Sequence, residues 1–242
     1  MRDESQEPTG AALATFRLVE AWSSLRFLQL FVFTVIALLL IPLQLRFRAL
    51  WLVLSALYLN AVVVSVTAGR FRMRVRWALL ATWVLALALR IAPVAEPEVA
   101  TLLYVTSRIL VVVLLGGCVA AALHYVLHGA EISIDRIFAA IVAYMLVGLG
   151  FAAAYQVIVA VAPESFALPA TTGGANELER FEVQLIYFSF VTITTLGYGD
   201  ITPRLPLAQM LAVLEAVTGQ FYVAVVIAWL VSAYAARHRL GA

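Results

Sequence analysis

The chain has little charge and no lysine. Asp, Glu, Lys and Arg make up 12% of its 242 residues, and hydrophobic residues make up 64%. This composition excludes an ordinary soluble domain and predicts a protein of the lipid bilayer. The formal net charge is only +2, and the exclusive use of arginine is interpreted as a compositional bias and not as a binding patch, so no nucleic-acid partner is expected.

Cysteine is nearly absent as well. The single cysteine, Cys118, lies in an apolar run, so no disulfide can form within the chain and a redox role is not expected. The first 24 residues are too polar for a secretion signal, and the long apolar run after them is expected to be retained as a membrane span. Residues 10–24 mix apolar and charged positions and suit a helix at the membrane interface.

Six apolar runs are close to, or longer than, the roughly 20 residues that a spanning helix needs. They cover residues 27–45, 50–68, 77–92, 99–127, 134–161 and 207–235. We therefore predict an all-α protein of the plasma (inner) membrane with six transmembrane helices. If both termini are cytoplasmic, most arginines fall in cytoplasmic loops, which agrees with the positive-inside rule. Arg46 and Arg48 run against that rule, in a very tight turn between the first two spans.

One stretch, residues 192–200 (TITTLGYGD), prescribes a specific chemistry. An ion that enters a pore must exchange its water for other oxygens, which converging backbone carbonyls can supply. Successive carbonyls point to one side only if alternate residues adopt angles that a β-carbon resists, and Gly197 and Gly199 remove that obstacle. Residues 182–194 are too short to span, so we predict a helix that enters and returns on one side. The simpler alternative is a turn in an ordinary loop.

Residues 194–200 closely resemble the signature of potassium channels, and residues 187–191 and 201–203 are similar to the pore helix and filter exit of that family. The resemblance covers roughly residues 131–236, the two-transmembrane pore domain, within a chain similar to bacterial six-transmembrane channels with one pore loop. It implies a channel subunit and no enzyme, without a cofactor. It also implies a homotetramer in contact with lipid, with any accessory subunit unknown.

The resemblance assigns roles to individual residues. It implies that K⁺ is bound by the Thr195 hydroxyl and by the carbonyls of Thr195, Leu196, Gly197 and Tyr198, with Gly199 permitting the geometry. Leu196 replaces the commoner valine and supplies a carbonyl either way. Asp200, Tyr187 and Thr192 are expected to support the filter, because Tyr187 and Phe188 replace two bracing tryptophans and Phe188 has no hydrogen-bonding group. Gly219 lies where many relatives have a hinge glycine, and a packing glycine is the alternative.

This interpretation divides the chain into four parts. Residues 1–24 are a cytoplasmic or interfacial segment, residues 25–128 a four-helix domain in the voltage-sensor position, residues 129–236 the pore domain, and residues 237–242 a basic tail. Arginines at every second position in residues 70–76 predict a membrane anchor. Arg90 and Arg108 are too few for a charge ladder, so we expect weak voltage dependence at most. They are expected to pair within the bundle, line a crevice or snorkel.

Several alternatives stay open at this stage. His124 and His128, four residues apart, allow a metal site or a proton sensor, although polar residues at a membrane interface are a simpler interpretation. A weakly voltage-dependent or non-selective cation channel and an ion-uptake transporter subunit are the main functional alternatives, and a receptor or enzyme on a pore scaffold is a third. A transporter of this kind usually repeats its filter-like segment, which this sequence does not. The gating stimulus is not indicated.

Overall fold

The computed structural model describes residues 25–45, 51–68, 73–93, 96–128, 133–169, 177–229 and 232. In these residues the chain is almost entirely helical. The helices are α1 (Arg26–Leu40, continued by a 3₁₀ turn, Ile41–Leu45), α2 (Trp51–Ala68), α3 (Met73–Ile91), α4 (Pro97–Leu127), α5 (Ile134–Val161), α6 (Glu177–Ile193) and α7 (Pro206–Phe221, continued by a π-helix, Tyr222–Ile227). A 3₁₀ turn, Pro163–Ser165, leads into strand β1 (Phe166–Ala167), which pairs antiparallel with β2 (Thr202–Pro203).

Four helical stretches in the described part of the chain are long and apolar enough to cross a membrane. They are Arg26–Leu43, Pro97–Leu127, Ile134–Val161 and Pro206–Val226. Helix α2 contains a shorter apolar stretch, Ser55–Val64. The structure is thus that of an all-α membrane protein, and the six-span arrangement stays a prediction.

Two helices begin earlier than predicted. Helix α3 starts at Met73 and not at residue 77, and α6 starts at Glu177 and not at residue 182. In both cases hydropathy assigned charged residues to a loop, although arginine and glutamate are good helix formers.

Some expected features lie outside the described residues. They are the interfacial segment, the turn at Arg46 and Arg48, Arg70 and Arg72, and the basic tail.

Helix α5 is the element against which α1, α4 and α6 pack. Small side chains on several faces are buried, including Ala139, Ala143, Ala152 and Ala153. Small residues let helices approach closely in lipid, where packing has to replace the hydrophobic effect. Ser133 caps the helix, since its hydroxyl oxygen accepts a hydrogen bond from the amide of Arg136 at 3.4 Å.

Asp135, in the first turn of α5, fastens α1 in place. One of its carboxylate oxygens accepts hydrogen bonds from the amides of Phe27 (2.8 Å) and Leu28 (3.4 Å), and the other accepts one from the Tyr125 hydroxyl (3.3 Å). A carboxylate at a helix N-terminus satisfies unpaired amides and complements the helix dipole. Asp135 therefore joins the first turn of α5 to the first turn of α1 by hydrogen bonds.

The rings of His124 and His128 stack at 4.2 Å between centroids. The described residues contain no cluster of three or more His, Cys, Asp or Glu side chains that could hold a metal ion. The metal interpretation of the two histidines thus gains no support from the fold, and the proton-sensor interpretation stays a prediction.

Candidate ion-binding site

The loop that follows α6 alternates the sign of its backbone φ angle. Thr195, Gly197 and Gly199 have φ values of 60°, 57° and 77°, and Thr195 is the one non-glycine residue with positive φ in the described ranges. Alternating left-handed and right-handed angles turn successive amides to one side of the chain and successive carbonyls to the other. The left-handed conformation costs a residue with a β-carbon about 1–2 kcal/mol. Such strain at Thr195 is typical of a functional segment.

The amides of this loop are bound by the last turn of α6. The Thr195 amide donates to the Thr192 carbonyl at 2.9 Å, and the amides of Leu196 and Gly197 both donate to the Val191 carbonyl, at 2.9 and 3.3 Å. Because the amides face α6, the alternation directs the carbonyls of the loop away from it. Residues 194–200 are all exposed in the single chain. The loop therefore presents a row of backbone oxygens on the exposed surface of the chain.

The outer end of the loop is fixed by a short ladder and by two side chains. The Arg204 amide donates to the Ser165 carbonyl at 2.8 Å, next to the pairing of β1 with β2. The Asp200 carboxylate accepts a hydrogen bond from the Ile201 amide at 3.1 Å. A hydrogen bond to the same carboxylate is the main cause that raises the pKa of the exposed Tyr187 above its usual range. Tyr187 and Asp200, both predicted to support the filter, are therefore in contact.

Phe188 packs behind the loop in an aromatic cluster. Its buried ring meets Tyr155 of α5 and Phe166 of β1 edge to face, with centroids 5.1 and 5.3 Å away. Such pairs contribute roughly 0.5–1.5 kcal/mol beyond their buried area. At the position where the potassium channels that this chain resembles have a bracing tryptophan, Phe188 therefore packs against the aromatic side chain of Tyr155 on α5.

Gly219 lies where α7 touches the end of α6. A β-carbon added to it would lie 2.2 Å from the Ile193 carbonyl oxygen and 2.8 Å from a side-chain carbon of Ile193. The same carbonyl accepts a hydrogen bond from the Tyr144 hydroxyl at 2.9 Å. The close contact between α7 and α6 therefore requires glycine at position 219. This finding supports the packing interpretation of Gly219, the alternative to the hinge interpretation. The hinge role itself stays a prediction.

Gln220, the next residue along α7, was not identified from the sequence. Its side-chain amide nitrogen donates a hydrogen bond to the Thr195 hydroxyl oxygen at 3.3 Å. The contact puts a polar group of α7 at the inner end of the loop. A polar residue within an apolar span was the available signal, because such residues are costly in lipid and face the interior or a water-filled cavity.

Arg90 of α3 and Arg108 of α4 converge on Glu182 of α6. Their guanidinium nitrogens lie 2.7 and 3.5 Å from the same Glu182 carboxylate oxygen. Both guanidinium groups also stack over the Tyr104 ring, at 5.2 and 5.1 Å from its centroid. Of the three roles expected for these arginines, the structure shows pairing within the bundle. Both arginines also line a small cavity between α2, α3 and α4.

Gln156 of α5 completes this network. Its side-chain oxygen accepts a hydrogen bond from Arg108 at 3.3 Å, and its side-chain nitrogen donates one to the Glu182 carbonyl at 3.3 Å. Arg108, Gln156 and Glu182 are all buried. Helices α3 and α4 are therefore tied to α6, the helix that precedes the loop, through a buried ionic contact.

The apolar helices define a membrane protein whose loop after α6 presents backbone oxygens on an exposed surface. A family model described as "ion channel" matches residues 175–236, which include α6, the loop and α7. Protein LctB of Geobacillus stearothermophilus is 30% identical over 97 residues, which are 40% of this chain and 71% of that protein. The chain belongs to this ion channel family.

Substitution of Gly219 by alanine separates packing from hinge motion. The new β-carbon overlaps a backbone oxygen, so α7 has to move away from α6 at a cost of about 1–3 kcal/mol. We expect Gly219→Ala to lower the melting temperature of the purified protein, measured by thermal unfolding in detergent. Gly116→Ala is the matched control, since its β-carbon would meet nothing within 4 Å. A Gly219→Ala protein as stable as this control would contradict the packing role and favour the hinge.

Substitution of Glu182 by glutamine removes the charge on which two arginines converge. Breaking a buried ion pair by removing one partner costs about 3–5 kcal/mol. Glu182→Gln is therefore expected to unfold at a clearly lower temperature than the wild type, whereas Glu96→Gln, at an exposed position, leaves the melting temperature unchanged. Equal melting temperatures for the two variants would show that the network adds nothing to stability.

Proposed function

We propose that the protein is a potassium-selective channel subunit that conducts K⁺ passively, with residues 195–199 as its selectivity filter. The observation that carries the proposal is the alternating φ of Thr195, Gly197 and Gly199, combined with amides that are bound to α6. This combination leaves carbonyl oxygens free on one face, and a dehydrated K⁺ ion needs such oxygens in place of its water.

Each filter residue has a role in this proposal. The Thr195 hydroxyl and the carbonyls of Thr195, Leu196, Gly197 and Tyr198 coordinate the ion, and Gly199 permits the last reversal of φ. Asp200 and Tyr187 hold the outer mouth through their hydrogen bond, and Thr192 holds the inner end through its carbonyl.

We propose that the working unit is a homotetramer in the inner membrane. One chain supplies one row of carbonyls, whereas four converging rows are needed to surround an ion. Leu196 and Tyr198 are 58% and 66% exposed in the single chain. Several large apolar residues of α7 are exposed as well: Leu207, Met210, Val213, Leu214, Val217 and Phe221. Exposed apolar surface next to the filter supports burial against other subunits, with lipid covering the outer helices.

The proposed subunit has six spans, cytoplasmic termini and weak voltage dependence. A strongly voltage-dependent channel moves three to four charges per subunit through the membrane field, each worth about 2.3 kcal/mol per 100 mV. Arg90 and Arg108 are instead held by Glu182. Their pairing supports a structural role for the first four helices, with voltage as a minor influence on opening.

The test of the filter is ion flux into liposomes that contain the purified protein, with K⁺ and Na⁺ compared. Wild-type protein is expected to pass K⁺ in preference to Na⁺, and Gly197→Ala is expected to abolish that flux. Alanine at a φ of 57° strains each subunit by about 1–2 kcal/mol and disturbs the row of carbonyls. Gly116→Ala serves as the control. Flux that does not distinguish K⁺ from Na⁺ would favour a non-selective channel, and K⁺ flux unaffected by Gly197→Ala would exclude this filter.

The test of the tetramer is the mass of the assembly in native detergent micelles, together with chemical crosslinking in membranes. Both are expected to give four copies of the chain. A dimer would contradict the proposal, because two copies supply only two rows of carbonyls around the ion.

A further inference from the structure

Glu215 is a carboxyl group inside a membrane span and is completely buried (0% exposed). It lies on α7 and faces α5 and α6. Its interactions within the described part of the chain are with two hydroxyl groups, those of Tyr155 on α5 and Ser189 on α6. A buried carboxylate normally needs a cation or several strong donors to offset the loss of water.

The charged and titratable groups around Glu215 supply no cation. Helix α5 contributes the tyrosines Tyr155 and Tyr144, and α7 has no other ionisable residue between Pro206 and Phe221. Helix α6 contributes the Ser189 hydroxyl, and its nearest acidic side chain, Glu182, is engaged by arginines. Within the described residues Glu215 thus faces only neutral hydroxyl groups.

The hydrogen bonds of this cluster can be counted. Three oxygen pairs are in contact: Ser189 with the Gly148 carbonyl (2.6 Å), Ser189 with Glu215, and Tyr155 with Glu215 (2.7 Å). Each contact needs one hydrogen, but the two hydroxyl groups supply only two and the Gly148 carbonyl can only accept. The third hydrogen has to be on the carboxyl group of Glu215.

We propose that Glu215 is protonated in the folded channel and that its proton positions the filter-bearing helix α6. The carboxyl group donates to the Ser189 oxygen, Ser189 donates to the Gly148 carbonyl, and Tyr155 donates to the other carboxyl oxygen. One chain of hydrogen bonds then joins α7, α6 and α5. Glu215 does not touch the ion, so it is a positioning residue.

The cluster lies close to the filter along α6. Ser189 is two residues before Val191, whose carbonyl holds the amides of Leu196 and Gly197. Loss of the Glu215 proton leaves two hydroxyl hydrogens for three contacts and a buried charge without a cation. The stabilisation is therefore present while the carboxyl is protonated and is lost as pH rises through its titration. The geometry thus predicts alkaline inhibition of flux through displacement of α6.

Infrared spectroscopy of the purified wild-type protein tests protonation, and it requires no conduction. We expect the carbonyl band of a protonated carboxylic acid at neutral pH, its loss at alkaline pH, and its absence from Glu215→Gln at every pH. Glu98→Gln, at an exposed position, is the control that retains the band. If wild-type and Glu215→Gln spectra are the same at neutral pH, Glu215 is ionised and the proposal is wrong.

Flux in liposomes tests positioning, and this part rests on the proposed function. Glutamine keeps a donor for Ser189 and an acceptor for Tyr155, so Glu215→Gln is expected to conduct at neutral pH and to lose the alkaline inhibition of the wild type. Ser189→Ala removes the link to α6 and is expected to reduce flux at every pH. Failure of Glu215→Gln to assemble, or wild-type flux in Ser189→Ala, overturns the positioning role. If no protein conducts while the infrared result holds, the proposed function fails and protonation stands.

Discussion

The structure depends on the way the loop after α6 satisfies its amides. The Val191 and Thr192 carbonyls, at the end of α6, accept hydrogen bonds from the amides of residues 195–197. A helix end always leaves carbonyls without partners, and a loop with alternating φ always turns its amides to one side. The unpaired carbonyls at the end of α6 therefore accept the hydrogen bonds that the amides of the loop donate. The conformation of the loop is therefore tied to the end of α6.

Helix α6 is held in position by contacts with the helices around it. At its inner end, the Tyr144 hydroxyl binds the Ile193 carbonyl and Gly219 lets α7 come into contact. In its middle, Ser189 and Glu215 provide polar contacts in otherwise apolar surroundings. Such contacts are directional, whereas apolar packing in lipid fixes position only through shape. Polar groups therefore determine where the helix lies.

The N-terminal half of α6 is tied to α3 and α4 by Glu182 and its two arginines. Opposite charges in a low-dielectric interior attract strongly, and either one left alone is costly. The positions of α3 and α4 are thereby linked to the position of α6.

The sequence by itself determined the membrane environment and the alternating conformation of the loop after α6, because hydropathy and the demand for positive φ at Gly197 and Gly199 are local properties. It also gave most helix bounds, with errors at α3 and α6 where charged residues begin an apolar helix. Only the tertiary structure decided which polar residues meet inside the protein. Glu215 with Ser189, Arg90 with Glu182 and Gln220 with Thr195 are distant in the sequence, and no periodicity relates them. Their pairing depends on how the helices pack around α5, which is a property of the whole fold.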